Sequence, residues 1–242
     1  MSTYEAAILV WDTNAVDAVV RGIVHKISTT GVPGSAPDRE AEFLAAFEAV
    51  FEGVANRLQC VNHTSDRVFI DEINPELPAC PLRNGKPLVE AYCGKQGFTG
   101  LWSTSIEHRI PCEDATDDEI DSVRHLMVED RGRKDASLIV AALKLGNATG
   151  QQVVIVTDDV GFAEEIINLP KSHAVIEIGG SQYSTTCVTT SLSIQVLREL
   201  HLSCGIDNET WHHIILAFKH HHNGRIGPAA RQHDRILCKI PG

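Results

Sequence analysis

The chain has 242 residues, of which 43% are hydrophobic and 22% are charged, and its net charge at pH 7 is −11. These values are close to a globular average, and no run of about 18 apolar residues predicts a membrane span. An acidic chain of this kind is a poor non-specific DNA binder, and its polar N-terminus lacks the basic start and cleavage site of a signal peptide.

The charge is unevenly distributed along the chain. Residues 171–242 contain seven Lys/Arg and five Asp/Glu, whereas residues 1–170 contain 14 Lys/Arg and 27 Asp/Glu. A histidine- and arginine-rich strip near the C-terminus consists of His220, His221, His222, Arg225, Arg231, Arg235 and Lys239. The alternatives for this strip are an RNA-contacting surface, a transition-metal site and the solvated end of a helix, where cations complement the helix dipole.

The seven cysteines are scattered, and no CxxC pair occurs among them. This usage is typical of a reduced protein, so we expect a cytoplasmic location. A zinc site is an alternative for four residues, although their spacing matches no known zinc knuckle. These residues are Cys80, Cys93, His108 and Cys112.

The first part of the chain alternates strand and helix. The apolar run from Ala6 to Trp11 suits a buried parallel strand, and it ends at Asp12. Helical spacing of apolar residues follows from Asn14 to Ile27 and from about Asp38 to Leu58. A second strand is predicted at 67–70. The Pro-, Gly- and Cys-rich stretch at about 77–114 reads as an insertion with some structure of its own.

The middle of the chain continues the same alternation. Thr116 and Glu119 form a capping-box pattern at the start of a helix. The later predicted elements are a helix at Lys134–Leu145 that ends at Gly146, a strand at Gln152–Val156, a helix at Phe162–Leu169 and a strand at Ala174–Ile178. Such alternation predicts an α/β fold with a parallel sheet.

The pattern changes after Gly180. Val188–Leu200 and Glu209–Lys219 read as helices with no strand between them. We therefore expect a main domain at 1–180, which includes the insertion, and a helical C-terminal extension at 181–242.

Acidic residues follow two of the predicted strands. Asp12 follows the first strand, and Asp158 and Asp159 follow the strand at Gln152–Val156. In open parallel sheets, ligands bind beyond the carboxyl ends of the strands, so we expect Asp12 and Asp159 to share a crevice. The alternative for either residue alone is a helix N-cap.

Two further acids fit the same crevice. Asp135 opens an apolar helix, where it would at least complement the helix dipole. Glu76 follows the second predicted strand, with Glu72 as its rival in the same segment. Packed carboxylates repel one another, and a divalent cation such as Mg²⁺ or Mn²⁺ removes that repulsion. A cation site of this kind is typical of enzymes that hydrolyse phosphate esters.

Together these segments resemble the PIN-domain nucleases. The shared motifs are WDTNAV, a central Glu, RKDASLIVAAL and VIVTDDVGF, in this order. That family has an Asp-x-Asn start, a Glu after the second strand, an Asp that opens a buried helix and a Thr-Asn-Asp-like segment. The resemblance covers about residues 6–170, and it implies a three-layer α/β/α fold with a central parallel sheet.

The resemblance also implies an activity, a Mg²⁺- or Mn²⁺-dependent endoribonuclease, often the toxin of a toxin–antitoxin pair. The catalytic, metal-binding acids would be Asp12, Glu76, Asp135 and Asp159. Asn14 and Thr157 would support the acids and their water network. Asp158 stands where the family often has Asn, so a fifth acid and a solvent-facing side chain both remain open. The implied partners are RNA and an antitoxin or other regulatory protein, and a homodimer is left open.

Two other functions compete with this interpretation. A non-catalytic PIN-like module would bind RNA or protein without cutting. A phosphatase of the haloacid dehalogenase type also begins with an Asp at a first strand end, but it uses a second Asp two residues later. In this chain that position is Asn14.

Overall fold

The fold is organised around a short apolar strand near the start of the chain. This computed structural model describes residues 7–12, 15, 22–23, 26, 45–46, 49–50, 59–61, 115–127, 132–202 and 206–215. Several predicted features lie outside these residues. They are the strand at 67–70, the insertion at 77–114, Asn14, Glu72, Glu76, the four residues considered for zinc and the histidine- and arginine-rich strip.

Strands and helices alternate as expected for much of the described chain. The strands are β1 (Ala7–Trp11), β2 (Gln59–Val61), β3 (Gln152–Val156), β4 (Val175–Ile178), β5 (Ser181–Ser184) and β6 (Val188–Ser191). The helices are α1 (Asp117–Arg124), α2 (Arg133–Thr149), α3 (Val160–Ser172) and α4 (Ser193–Leu202), and a 3-10 turn lies at Thr185–Cys187. Other helical residues lie at 15, 22–23, 26, 45–46, 49–50 and 208–215. In this described part, no helix has the length and apolar character needed to cross a bilayer.

The central feature is a parallel sheet with the strand order β2-β1-β3-β6. All five side chains of β1 and the last four of β3 are buried, so both faces of these strands are covered. Helix α2 packs against β3 and β1, and Ile23 and Val50 join the same core. The predicted α/β fold with a parallel sheet is therefore confirmed.

Helix α1 begins with the predicted capping box. Thr116 Oγ1 accepts a hydrogen bond from Glu119 N at 3.3 Å, and Thr116 N donates to Glu119 Oε2 at 2.8 Å. Lys144 Nζ lies 2.6 Å from Glu119 Oε1 and so ties α1 to α2. Burial raises the pKa of Glu119, but the hydrogen bond and charge of Lys144 and the contacts with Thr116 outweigh it. The pKa of Glu119 is therefore lowered from its ordinary value.

Helix α2 ends later than its sequence predicts. It continues through Gly146 and stops at Gly150, which has a φ of 69°. A Cβ atom at Gly146 would lie 2.5 Å from Cys187 Sγ and 3.0 Å from Cys187 Cβ. Gly146 therefore allows a close approach between α2 and the 3-10 turn, and the prediction that it ends the helix is wrong. Gly150 ends the helix because glycine adopts the left-handed conformation without strain.

The chain after Gly180 departs from the predicted helical extension at 181–242. Strands β4 and β5 form an antiparallel hairpin across Gly179 and Gly180, whose φ values are 56° and 79°. Strand β6 pairs with β3 in the main sheet, and α4 begins only at Ser193. The boundary placed near residue 180 thus falls within a tight turn. The start of the helix predicted at Val188–Leu200 is wrong, because residues 188–191 form a strand. The β-branched run at the start of β6 pairs with β3, which overrides the helical spacing.

The C-terminal helical segment (206–215) packs against helical residues near the start of the chain. A Cβ atom at Gly22 would lie 2.7 Å from Ile214 Cα, so the two backbones approach closely. Lys26 Nζ donates to Thr210 Oγ1 at 2.9 Å across the same contact. The C-terminal segment is thus packed onto the fold and joins its core through Ile214.

We predict that Gly146→Ala destabilises the protein by up to about 2 kcal/mol, even though alanine is the better helix former by about 1 kcal/mol. The reason is overpacking against Cys187, which typically costs about 1–3 kcal/mol. The free energy of unfolding in urea measures the effect. In a Cys187→Ala background, which lacks the nearest atom, the cost of Gly146→Ala should be smaller. An equal cost in both backgrounds would contradict the role of this contact.

We also predict a pH-dependent contribution from Glu119. Its pKa is lowered in the folded state, so its stabilising effect is present above the ordinary value of 4.5 and disappears as the pH falls through the lowered value. The difference in unfolding free energy between the wild type and Glu119→Gln should therefore be larger at neutral pH than at about pH 3. Glu164→Gln, at an exposed position on α3, is the control. A difference that does not change with pH would refute this account of Glu119.

Candidate functional site

The carboxyl ends of β1 and β3 lie side by side. Trp11 and Val156 are paired in register, so Asp12 and Thr157 are the first residues beyond the two strands. Strand β2, which follows β1 in the chain, lies on the side of β1 that faces away from β3. Strand β6, which is the next strand of this sheet after β3, lies on the side of β3 that faces away from β1. The chain therefore diverges between β1 and β3, and in open parallel sheets such a switch point is where ligands bind.

One hydroxyl group links the two strand ends. Thr157 Oγ1 donates to Asp12 Oδ2 at 2.6 Å and accepts from Asp159 N at 3.2 Å. The backbone supports the same contact, because Asp12 N donates to Val156 O at 2.9 Å and Thr157 N donates to Ser191 O at 3.0 Å. Asp12 is 6% exposed and Thr157 is fully buried. A hydrogen bond to a buried carboxylate is typically worth about 1.5–3 kcal/mol, so Asp12 is firmly oriented.

Asp159 is the N-cap of α3. Its Oδ1 atom accepts a hydrogen bond from Phe162 N at 3.0 Å, which satisfies one of the free amides of the first turn. Phe162 is itself fully buried and anchors α3 in the core. The capping role that the sequence left open for this acid is therefore present, and it uses one carboxylate oxygen.

Asp158 points into the protein and binds the start of α4. Its carboxylate accepts from Ser193 N at 2.9 Å and from Ser193 Oγ at 2.6 Å. Asp158 is 7% exposed, so the solvent-facing alternative is wrong. Ser193 was not predicted as a partner of Asp158, because the residue lies inside the helix predicted at Val188–Leu200. The available signal was Gln195, whose Oε1 accepts from Leu192 N at 3.0 Å in a capping-box-like contact.

Asp135 lies near the start of the helix that precedes β3. It stands in the first turn of α2. Helix α2 packs against β3, and residues 150–151 connect the end of the helix to the start of the strand. Asp135 precedes Thr149 by 14 residues, so it is about 21 Å away along the helix axis. The span of β3 is only about 13 Å. Helix α2 is therefore longer than β3, and Asp135 is half-buried in its first turn.

The donor atoms of the predicted acids match the preferences of Mg²⁺ and Mn²⁺ in type. Asp12, Asp135 and Asp159 offer carboxylate oxygens, which are hard ligands, and Thr157 holds one of them in place. Across the described ranges, however, no group of three or more His, Cys, Asp or Glu side chains is arranged to hold a metal ion. Two residues of the predicted set, Glu76 and Asn14, lie outside those ranges. The donor chemistry thus fits the cation, and the complete ligand set stays a prediction.

Comparison with known proteins adds no family to this description. The chain matches no protein-family model, no curated protein and no solved structure.

Proposed function

We propose that this protein is a metal-dependent endoribonuclease of the PIN type, with its active site at the carboxyl ends of β1 and β3. The observation that carries the proposal is the buried carboxylate of Asp12, which Thr157 Oγ1 orients from 2.6 Å at the switch point of the sheet. A carboxylate is rarely buried to this degree without a structural or ligand-binding reason. A cation bound at the sheet edge would supply such a reason.

The PIN-like three-layer architecture belongs to the same proposal. Its support is the parallel sheet, in which β1 and β3 are the inner strands and each is followed by acids. A third acid, Asp135, stands at the start of the buried helix that precedes β3. These acids occur in the chain order of the motifs that resemble the PIN-domain nucleases.

In this proposal Asp12, Asp135 and Asp159, together with Glu76, hold Mg²⁺ or Mn²⁺. When bound, such a cation stabilises the negative charge on the phosphate and lowers the pKa of the attacking water. Thr157 orients Asp12 through its hydroxyl group. N-capping takes one oxygen of Asp159, and a carboxylate has a second oxygen that can bind a cation.

The helix N-termini at this edge are relevant to how RNA would bind. Free amides at a helix N-terminus are a common phosphate-binding device. At α3 and α4, amides of the first turn are bonded to Asp159 and Asp158. A phosphate of the substrate would be repelled by these two acids. We therefore expect the cation to be the main phosphate-binding group in the crevice.

A non-catalytic PIN-like module that binds RNA or protein is the second candidate. One observation favours it, namely that the described acids do not form a three-ligand group. Direct measurement of Mn²⁺ binding separates the two candidates, because a non-catalytic module does not need a metal site. A phosphatase of the haloacid dehalogenase type has less support, since Asn14 stands where that mechanism needs a second Asp.

We predict that Asp12→Asn and Asp135→Asn each reduce cleavage of single-stranded RNA by more than about 100-fold. At Asp12 the amide oxygen can still accept the hydrogen bond from Thr157, so the protein should stay folded while the negative charge is lost. Cleavage is measured with Mg²⁺ or Mn²⁺, and folding by circular dichroism. Asp118→Asn is the matched control, because Asp118 is an exposed acid on α1.

The control should cleave RNA at the wild-type rate. If both Asp12→Asn and Asp135→Asn cleaved at that rate as well, the acids at the sheet edge would not be the active site.

Removal of divalent cations should stop the reaction. We predict that EDTA abolishes cleavage and that added Mn²⁺ restores it in the wild type, because carboxylates alone supply no activated nucleophile. Added Mn²⁺ should not restore cleavage in Asp12→Asn, which shows that the recovered activity does not come from a contaminating nuclease. Cleavage that persists in EDTA would rule out the metal-dependent mechanism.

A further inference from the structure

Asp158 makes a contact that the proposed reaction does not require. Helix α4 is preceded by Leu192, whose apolar side chain cannot cap the helix. Asp158 supplies the missing acceptor from 35 residues away, through Ser193 N at 2.9 Å and Ser193 Oγ at 2.6 Å. The carboxylate is 7% exposed and Ser193 is fully buried. The N-terminus of α4 is therefore capped by a residue from a different strand end.

This cap is adjacent to the contact that orients Asp12. Asp158 lies between Thr157 and Asp159, which are joined by the hydrogen bond from Asp159 N to Thr157 Oγ1 at 3.2 Å. Thr157 N also donates to Ser191 O at 3.0 Å, two residues before Ser193. The bond from Thr157 N to Ser191 O continues the pairing of β3 with β6, and the bonds of Asp158 join the turn after β3 to the start of α4. If the contact at Asp158 is lost, the strand pairing remains, but these side-chain bonds no longer hold the turn after β3 against α4.

We propose that Asp158 is a positioning residue, whose bonds to Ser193 hold Thr157 where its hydroxyl group orients Asp12. The kinetic part of this inference rests on the proposed nuclease function, whereas its structural part does not. Asp158 is not a metal ligand in this account. A displacement of about 1 Å in an active site can lower the rate by about 100-fold, so a lost anchor one residue from Thr157 is enough to affect catalysis.

The first test compares Asp158→Ala, which removes both bonds to Ser193, and Ser193→Ala with the wild type. We expect kcat on single-stranded RNA with Mn²⁺ to fall about tenfold or more in Asp158→Ala, while KM changes by less than about twofold. Mn²⁺ affinity should stay within about threefold of the wild type, and Asp158→Asn, whose amide oxygen still accepts a hydrogen bond from Ser193, should keep kcat closer to the wild-type value. A loss of Mn²⁺ binding in Asp158→Ala would overturn the proposal, because it would make Asp158 a ligand.

The chain offers a matched control for the loss of a helix cap. Asp207 accepts from Thr210 N at 2.8 Å and from Thr210 Oγ1 at 2.6 Å, the same pair of bonds that Asp158 makes to Ser193. Asp207 caps the C-terminal helical segment and contacts Lys26. Asp207→Ala and Thr210→Ala should lower stability and leave kcat of the folded protein unchanged. If Asp158→Ala also lowered stability without a change in kcat, Asp158 would be only a structural cap.

The second test is independent of the nuclease assay. Crystal structures of Asp158→Ala and Ser193→Ala should show the Thr157 Oγ1 to Asp12 Oδ2 distance increased beyond about 3.2 Å, the upper range of a good hydrogen bond. An unchanged distance would overturn the positioning role. Ser193→Ala keeps the backbone N–H bond, so it provides this measurement even if Asp158→Ala does not fold. Absence of RNA cleavage and Mn²⁺ binding in the wild type would instead refute the proposed function.

Discussion

Three consecutive side chains after β3 connect β1, α3 and α4 at the carboxyl end of the sheet. Thr157 binds Asp12 at the end of β1, Asp158 binds Ser193 at the start of α4, and Asp159 caps α3. Thr157 and Asp158 are nearly inaccessible to solvent, so the polar groups of these two side chains must find partners within the protein. Leaving one unsatisfied costs about 1–3 kcal/mol, which makes this tripeptide the main constraint on how β1, α3 and α4 meet.

The same tripeptide shapes the electrostatics of the edge. Asp158 and Asp159 are placed at helix N-termini, where backbone amides and the helix dipole stabilise negative charge. The contact that orients Asp12 is different, because its donor is the neutral hydroxyl group of Thr157. In the proposed function, a divalent cation is the partner that would bind the carboxylates at this end of the sheet.

Much of the local structure was predictable because its signals are local. The apolar run of β1 and the β-branched run of β3 were recognised as strands, and Thr116 and Glu119 were recognised as a capping box. The placement of acids after two strands follows from the sequence in the same way. Parallel pairing then brings Asp12 and Thr157 together, because the last residues of β1 and β3 are in register. The roles of Glu76 and Asn14 stay predictions.

What the amino-acid order alone determined was therefore the fold class, the inner strands and the acids at their ends. Tertiary structure decided that Gly146 lies inside α2, since its neighbour is Cys187, 41 residues later. It also decided that Val188–Ser191 is a strand and that Asp158 caps a distant helix. The β-branched residues of β6 are followed almost at once by the helical spacing of α4, so the pairing with β3 decided where the strand ends and the helix begins. Likewise, the partner of a buried carboxylate is set by which elements pack together, which no local pattern encodes.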